Sequence, residues 1–275
     1  MRFLFCTFAF FAAALTPAFA QTPSRIERLT SEDGAMFEAH IFAPEPNAAA
    51  PGGAVVLLHG GGWVVGDASW VYPRAEAFAR QGALAVAVDY RLANQRSLTP
   101  AQSSADARSV FRWLRANAAA LNINPTMIAA YGVSAGGQLS VSAAQSDDAL
   151  ARPNAIVLVS PALDLERDGW FAQLMGGPEA ARPLSPLSNM RAGLPPTLIL
   201  QGDVDTETPL RGAQAFCDAM RGFGDRCVLK IYRGYGHLFT PAGINDRETP
   251  APDPAISEAA GAFASAFLRR EGYFR

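Results

Sequence analysis

The chain has 275 residues, of which 49% are hydrophobic and 17% are charged. This balance is typical of a globular protein with a sizeable core, and it excludes a disordered, collagen-like or coiled-coil protein. Lysine and arginine total 23 against 25 acidic residues, so the chain has no excess of basic residues with which to bind nucleic acid.

The first twenty residues have the three parts of a secretory signal peptide. Arg2 supplies a positive start, residues 3–15 form an almost unbroken apolar run, and Ala18-Phe19-Ala20 is an A-x-A cleavage site. We therefore predict that residues 1–20 are removed and that residues 21–275 form one exported domain in the periplasm or outside the cell. An uncleaved N-terminal anchor is the alternative. No second run of about eighteen apolar residues follows, so we expect no stable membrane insertion.

The rest of the chain reads as strands that alternate with helices. Residues 26–29 and 36–42, separated by Ser31-Glu32-Asp33-Gly34, predict an antiparallel hairpin. Six later segments are apolar on both faces, as strands buried in a parallel sheet must be. These segments are residues 54–58, 84–88, 127–131, 156–159, 197–200 and 228–232.

Helical patterns lie between these strands, at residues 101–120, 135–144, 210–220 and 256–270. In the last of them Ala259, Phe263 and Phe267 share a face, which we expect to be the apolar face. The alternation predicts an α/β domain, with a mostly parallel sheet covered by helices on both faces. Residues 160–195 form one long connection, rich in proline, glycine and aromatic residues, and a connection of that length predicts a lid.

A serine flanked by glycines lies between a predicted strand and a predicted helix. In Gly132-Val133-Ser134-Ala135-Gly136-Gly137 the serine follows the strand at 127–131 and opens the helix at 135–144. This is the context of a nucleophile elbow, in which a strained turn exposes the hydroxyl at the carboxyl edge of the sheet. An ordinary glycine-rich turn is the alternative. We predict that Ser134 is a catalytic nucleophile.

A serine nucleophile needs a base, and the chain has three histidines, His40, His59 and His237. His40 lies in the hairpin and is expected to be a surface or core residue. His237 lies in a loop directly after the last predicted strand, where the base is expected when the chain order is serine, acid, histidine. We predict that His237 is the base.

The acid of such a triad is expected between the serine and the histidine, in a loop after a strand. Asp203, Asp205 and Glu207 all follow the strand at 197–200. A carboxylate here would orient the imidazole and stabilise its charged form without taking the proton itself. The pattern by itself leaves the choice among the three open.

Three consecutive glycines, in His59-Gly60-Gly61-Gly62-Trp63, follow the strand at 54–58. Backbone N–H groups can face a ligand where no side chain intervenes, and such donors stabilise an oxyanion. We predict that the N–H groups of Gly61, Gly62 and Ala135 form an oxyanion hole. A phosphate-binding loop is the alternative, but neither a following Gly-Lys-Ser/Thr nor G-x-G-x-x-G spacing is present.

Cleavage of the predicted signal peptide would remove Cys6 and leave two cysteines, Cys217 and Cys227. A close pair in an exported protein predicts a structural disulfide, with two unpaired buried thiols as the alternative. No histidine cluster accompanies the pair, so we expect no metal site.

Together these motifs resemble the α/β-hydrolase superfamily and, within it, the bacterial esterases related to hormone-sensitive lipase. The resemblance rests on the glycine loop, the serine elbow, Asp89-Tyr90-Arg91-Leu92-Ala93, the Gly202-x-x-Asp205 turn closed by Pro209, and Gly236-His237. It extends from about residue 54 to residue 240. It implies the α/β-hydrolase fold, with residues 160–195 as a small lid insertion.

The resemblance also implies roles for individual residues. In the family the acid is the aspartate three residues after the glycine, which favours Asp205 over Asp203 and Glu207. The histidine of the family's glycine loop is structural, so His59 is expected to be structural. Three further charged residues resemble ones that support the fold in this family, so we expect them to be structural and not catalytic: Asp89, Arg91 and Asp106.

The expected function is that of a serine carboxylic-ester hydrolase that forms an acyl-enzyme and needs no cofactor. The sparse lid favours short acyl groups on a small-molecule or carbohydrate ester. An amide hydrolase with the same triad, either an arylformamidase or a small exopeptidase, is the alternative, and a non-catalytic ligand receptor on this scaffold is a weaker one. No oligomeric state is predicted. The aromatic and acidic residues that could border the pocket, but that we expect to be ordinary packing, are Trp63, Asp164, Trp170 and Phe171.

Overall fold

The computed structural model describes residues 22–44, 52–94, 97–246 and 250–274. The predicted signal peptide, residues 1–20, lies outside the described residues. The strands are β1 (Arg25–Thr30), β2 (Met36–Phe42), β3 (Gly52–Leu58), β4 (Leu84–Asp89), β5 (Ile123–Val133), β6 (Ala155–Val159), β7 (Thr197–Gly202) and β8 (Cys227–Tyr232). The α-helices are α1 (Tyr72–Arg80), α2 (Pro100–Ala116), α3 (Ala135–Ala144), α4 (Gly169–Met175), α5 (Pro178–Ala181), α6 (Leu210–Gly222) and α7 (Pro254–Arg270).

The eight strands form one sheet in the order β1-β2-β4-β3-β5-β6-β7-β8. β1 pairs with β2, and β2 with β4, in antiparallel fashion, so the predicted hairpin forms one edge of the sheet. The other neighbours are parallel. The mostly parallel sheet expected from the strand-and-helix alternation is confirmed, and it brings the carboxyl ends of β3, β5, β7 and β8 to one edge.

Alternate residues of the central strands supply two hydrophobic layers, one on each face of the sheet. Val56 and Leu58 of β3 pack in the layer that contains helices α2, α3 and α6. Val55 and Leu57 pack in the opposite layer, with helices α1 and α7. The strands are apolar on both faces because helices cover both of them.

Two helical details differ from the sequence analysis. Helix α1 was not predicted; Asp67 and a proline at its start organise the turn that leads into it. In α7 the expected apolar face is wrong, because Ala260 and Ala264 are buried there while Phe263 is 39% exposed. Phe267 is buried as expected.

The connection from β6 to β7 contains the short helices α4 and α5 and covers part of the carboxyl edge of the sheet. Phe171 of α4 is fully buried in the layer that contains α2 and α3, so this connection is anchored in the core. Among the described residues, no helix combines the length and apolar character needed to cross a membrane.

Candidate active site

Ser134 occupies the sharp turn between β5 and α3. Its backbone has φ 52° and ψ −114°, a conformation in which a residue with a side chain is strained. Residues 132 and 136 must be glycines here: a Cβ at Gly132 would overlap the Gly136 carbonyl, and a Cβ at Gly136 would overlap the Leu58 carbonyl. Close contact of β5, α3 and β3 therefore fixes the serine at the sheet edge.

The structure brings Ser134, His237 and Asp205 into one hydrogen-bonded row. His237 Nε2 lies 3.0 Å from Ser134 Oγ, and His237 Nδ1 lies 3.0 Å from Asp205 Oδ2. A carboxylate can only accept, so Nδ1 carries the proton and leaves Nε2 to accept from the serine hydroxyl. Asp205 and His237 are each only 5% exposed.

Asp205 is held by several donors in addition to the imidazole. Gln201 Nε2 donates to its Oδ2 over 2.9 Å, and the Thr208 backbone N–H donates to its Oδ1 over 2.7 Å. The Thr208 hydroxyl lies 2.9 Å from Asp205 Oδ2 and 3.2 Å from His237 Nδ1. These contacts hold the carboxylate in place beside the imidazole. Sequence reasoning did not identify Gln201 or Thr208, whose roles depend on side-chain direction.

The two competing carboxylates lie elsewhere. Asp203 Oδ1 accepts from the Gly234 N–H over 2.7 Å, so this residue fixes the turn that leads to the histidine loop. Glu207 is exposed at the cavity mouth, and its backbone N–H donates to Asp205 Oδ1 over 3.0 Å.

A further carboxylate that the sequence analysis did not identify, Asp246, joins the acid loop to the histidine loop. Its Oδ2 accepts from the His237 N–H over 2.7 Å and from the Thr206 N–H over 3.1 Å, and its Oδ1 accepts from the Thr206 hydroxyl over 2.5 Å. Burial raises the pKa of Asp246, but the hydrogen bonds from Thr206 and His237 outweigh that effect and hold the pKa below its ordinary value. No local pattern marks Asp246.

The glycine loop after β3 lines the same cavity as Ser134. Gly61 and Gly62 have positive φ values of 105° and 56°, which suit glycine. Among the described residues, neither N–H donates to a backbone or side-chain acceptor. Ala135 is the first residue of α3, where an N–H has no partner within the helix. All three predicted oxyanion donors therefore lie around one cavity.

Backbone strain is concentrated at this site. Among the described residues, six other than glycine have positive φ, and five of these border the serine, the histidine or the glycine loop. The five are Trp63, Ser134, Ser160, Leu238 and Phe239. Such strain persists only where the surrounding structure enforces it, which here includes the Leu238 N–H donating to Ser160 Oγ over 3.1 Å.

The cavity in front of Ser134 has a volume of about 460 Å³. Trp63 and Phe171, which we expected to be packing residues, are buried against each other with ring centroids 4.6 Å apart, although part of Trp63 borders the cavity. Trp170 is different: it is 50% exposed and lines the cavity, so the packing interpretation is wrong for this residue. Asp164 lines a small neighbouring recess.

His59 makes no contact with the serine, the acid or the base. Its ring stacks on Tyr90 at a centroid distance of 4.2 Å, and its Nδ1 lies 2.7 Å from the Gly60 carbonyl. Burial lowers the pKa of His59, which favours the neutral ring. Outside the cavity, Arg91 pairs with the buried Asp106 at 2.7 Å, and Asp89 accepts from the Ala68 N–H at 3.3 Å.

The predicted cysteine pair is not among the residues that line the cavity in front of Ser134. The structure joins Cys217 of α6 to Cys227 of β8, with their Cα atoms 5.4 Å apart. No group of three or more histidine, cysteine, aspartate or glutamate side chains in the described part of the chain is arranged to hold a metal ion.

Comparison with known proteins agrees with this architecture. A family model described as alpha/beta hydrolase fold matches residues 55–173. The chain is 29% identical over 233 residues to an acetylxylan esterase of Xylanibacter ruminicola, covering 80% of this chain and 47% of that protein. It is 34% identical over 160 residues to an ethyl acetate hydrolase of Pseudomonas putida, covering 56% of this chain and 50% of that protein. The chain thus spans about half the length of these curated relatives.

A solved structure matches over nearly its whole length. The propionate-bound esterase 2 of Thermogutta terrifontis superposes with a TM-score of 0.77 at 30% identity, covering 92% of this chain and 96% of that one. The strand order, the serine elbow and these similarities agree on one assignment. The chain belongs to the α/β-hydrolase family, in the branch of esterases that resemble hormone-sensitive lipase.

Proposed function

We propose that the protein is a serine carboxylic-ester hydrolase that works through an acyl-enzyme. The observation that carries the proposal is the row Ser134–His237–Asp205, joined by two contacts of 3.0 Å. The row faces a cavity bordered by the N–H groups of Gly61 and Gly62, which have no acceptor in the described part of the chain. A nucleophile, an oriented base and oxyanion donors are the parts that acyl transfer requires.

In this mechanism the hydroxyl of Ser134 attacks the ester carbonyl while His237 Nε2 takes its proton. The imidazolium that results is stabilised by Asp205, which also keeps the ring in its orientation. His237 then returns the proton to the alcohol oxygen as the C–O bond breaks, which leaves an acyl group on Ser134. Water attacks that acyl group while His237 takes its proton. The bond between the acyl carbon and Ser134 Oγ then breaks, His237 returns the proton to Oγ, and the carboxylic acid is released.

Each tetrahedral intermediate carries a negative oxygen. In this proposal the N–H groups of Gly61, Gly62 and Ala135, which border the same cavity, donate hydrogen bonds to that oxygen. These donors are set before substrate binds, because the positive φ values and the α3 terminus fix their directions. One donor of this kind contributes about 10²–10³ in turnover. No cofactor enters any of these steps.

Short acyl groups suit the cavity. About 460 Å³ accommodates a small ester, and the connection from β6 to β7 provides two short α-helices and two single-turn 3-10 helices as cover. The names of the relatives agree, since they describe an acetylxylan esterase, an ethyl acetate hydrolase and an esterase with bound propionate. We propose acetyl to butyryl esters of small alcohols or carbohydrates as substrates.

Amide hydrolysis is the second candidate, because the same triad cleaves both bonds. A series of p-nitrophenyl esters from acetate to palmitate, with feruloyl esters and p-nitroanilides alongside, separates the candidates. We expect the highest kcat/KM at two to four carbons, and a loss of at least about 10³ in Ser134→Ala. Faster cleavage of anilides than of esters would contradict the ester assignment.

We also propose that residues 1–20 direct export and that the domain at 21–275 works in the periplasm or outside the cell. The support is the charged start, the apolar run and the A-x-A site in the sequence. N-terminal sequencing of protein recovered from the periplasm or medium should begin at Gln21. Recovery of the intact chain from the cytoplasm alone would contradict export.

A further inference from the structure

We infer that the alcohol half of the substrate is a sugar, bound with one ring face on Trp170 and its hydroxyls in a polar recess beside Ser134. This inference rests on the proposed ester hydrolysis and adds the chemical class of the leaving group. It depends on two features of the cavity: exposed aromatic side chains at its mouth, and two charged side chains of the recess, Asp164 and Arg211, that have no partner among the described residues.

The mouth of the cavity carries large apolar side chains that are exposed. Val65, Trp70 and Trp170 are 55%, 56% and 50% exposed, and all three line the cavity that contains Ser134. The two indoles flank the glycine loop. Trp170 Nε1 lies 3.5 Å from the place where a Cβ on Gly62 would be, and Trp70 lies close to Gly66. Exposed apolar side chains gathered around a site mark a binding surface.

The backbone of Trp170 is anchored at this mouth by two neighbouring residues. Asp168 Oδ1 accepts from the Trp170 N–H over 2.9 Å, which begins helix α4. The next residue, Phe171, is fully buried and packs on Trp63, whose Nε1 donates to Gln138 over 2.9 Å. The exposed indole of Trp170 provides a flat apolar face together with one N–H donor, which has no acceptor among the described residues.

A recess of about 30 Å³ opens from the same cavity, and the two share Ala162, Asp168, Glu207 and Thr208 as walls. This volume holds one or two hydroxyl-sized groups. The remaining wall includes Asp164 and Arg211. The recess is therefore too small for a second acyl chain and has the size of a polar substituent on a ring in the main cavity.

Two of the charged side chains that line the recess, Asp164 and Arg211, are without a partner among the described residues. Neither Asp164 nor Arg211 makes a side-chain hydrogen bond or ion pair in the described part of the chain. An acceptor-only carboxylate beside a donor-only guanidinium complements a hydroxyl, which both donates and accepts. A pyranose combines such hydroxyls with apolar C–H faces that can stack on an indole. An alkyl or simple aryl alcohol has no further hydroxyl to bind Asp164 or Arg211.

The test compares two acetates with rings of similar size, mono-O-acetylated methyl β-xylopyranoside and cyclohexyl acetate, with acetate release measured for each. The second lacks every ring hydroxyl. We expect kcat/KM for the sugar ester to exceed that for cyclohexyl acetate by about tenfold or more, since a hydrogen bond to a charged group is worth about that factor. Arg211→Ala should reduce this ratio by about fivefold or more, and Trp170→Ala should lower kcat/KM for the sugar ester by about tenfold.

Matched controls are Arg270→Ala, an exposed arginine of α7, and Phe223→Ala, a 49% exposed aromatic side chain at the end of α6. Both should behave like the unmodified protein. The sugar subsite would be overturned if the ratio of kcat/KM for the two acetates were near one, or if Arg211→Ala lowered kcat/KM equally for both. Continued hydrolysis of p-nitrophenyl acetate would in that case still support the proposed function. If no ester is hydrolysed, both proposals are wrong.

Discussion

The backbone N–H of His237 donates to Oδ2 of Asp246 over 2.7 Å, and the same carboxylate accepts both the N–H and the hydroxyl of Thr206. Thr206 directly follows Asp205. One buried side chain therefore joins the loop of the proposed base to the loop of the proposed acid. We expect this link to help hold His237 and Asp205 at their 3.0 Å contact.

Asp246→Asn should lower kcat more than it changes KM. An amide retains one acceptor oxygen, but its NH₂ group replaces the other acceptor and faces the donors of His237 and Thr206. At least one buried N–H group then lacks an acceptor, which lowers the free energy of unfolding by about 1–3 kcal/mol. A small shift of the imidazole is expected to cost about 10- to 100-fold in kcat. Kinetics on p-nitrophenyl acetate measure this effect, with Asp147→Asn, whose side chain is fully exposed, as control. An unchanged kcat would show that Asp246 has no part in positioning the imidazole of His237.

We expect the difference in stability between the unmodified protein and Asp246→Asn to depend on pH. The pKa of Asp246 is lowered in the folded protein from its ordinary value of 3.8, so its ionised form stabilises the fold. That contribution is complete above about pH 5 and is lost as the pH falls through the folded-state pKa. The urea midpoints of the unmodified protein and of Asp246→Asn should therefore move toward each other as the pH falls below about 4. A constant difference between pH 7 and pH 3 would contradict the role of the charge.

Gly61→Ala should remove most of the activity. A Cβ at this position would overlap the Val65 carbonyl, and the φ of 105° is unsuited to alanine, so the glycine loop must shift. Displacement of an oxyanion donor is expected to lower kcat by about 10²–10³. Gly222→Ala is the matched control, because its Cβ meets nothing within 4 Å at the end of α6. Full activity in Gly61→Ala would exclude this loop from the oxyanion site.

The sequence predicted those parts of the site that depend on local pattern. The serine elbow is a contiguous motif, and His237 could be chosen because the chain has three histidines and only one follows the last strand. Asp205 could be separated from Asp203 only through family resemblance, since both lie in the same turn and the choice depends on side-chain direction. Asp246 could not be found, because its partners become neighbours only after two loops pack together.

The same limit explains the errors. The exposed face of α7 carries Phe263, so the apolar spacing by itself indicated the wrong face. Trp170 and Phe171 are adjacent aromatic residues with opposite environments, one lining the cavity and the other buried. Sequence composition does not distinguish them, because the direction of each side chain is set by where α4 begins and what it packs on.

The cysteine pair provides a test that is independent of activity. Thiol titration of denatured, unreduced protein that lacks residues 1–20 should find no sulfhydryl, and reduction should release two. Cys217→Ser should lower the free energy of unfolding by about 2–3 kcal/mol, because the bond closes a loop between residues ten positions apart. Two titratable thiols before reduction would show that the pair is not oxidised.

Covalent trapping of the nucleophile tests the central claim most directly. Paraoxon transfers a diethyl phosphoryl group to an activated serine hydroxyl, with p-nitrophenolate as the leaving group. With this chain, we expect intact-mass analysis after paraoxon treatment to show one diethyl phosphoryl group, carried by the peptide that contains Ser134. Ser257→Ala should be labelled to the same extent, and Ser134→Ala should remain unlabelled. Labelling of another residue, or equal labelling of Ser134→Ala, would contradict the assignment of Ser134 as the nucleophile.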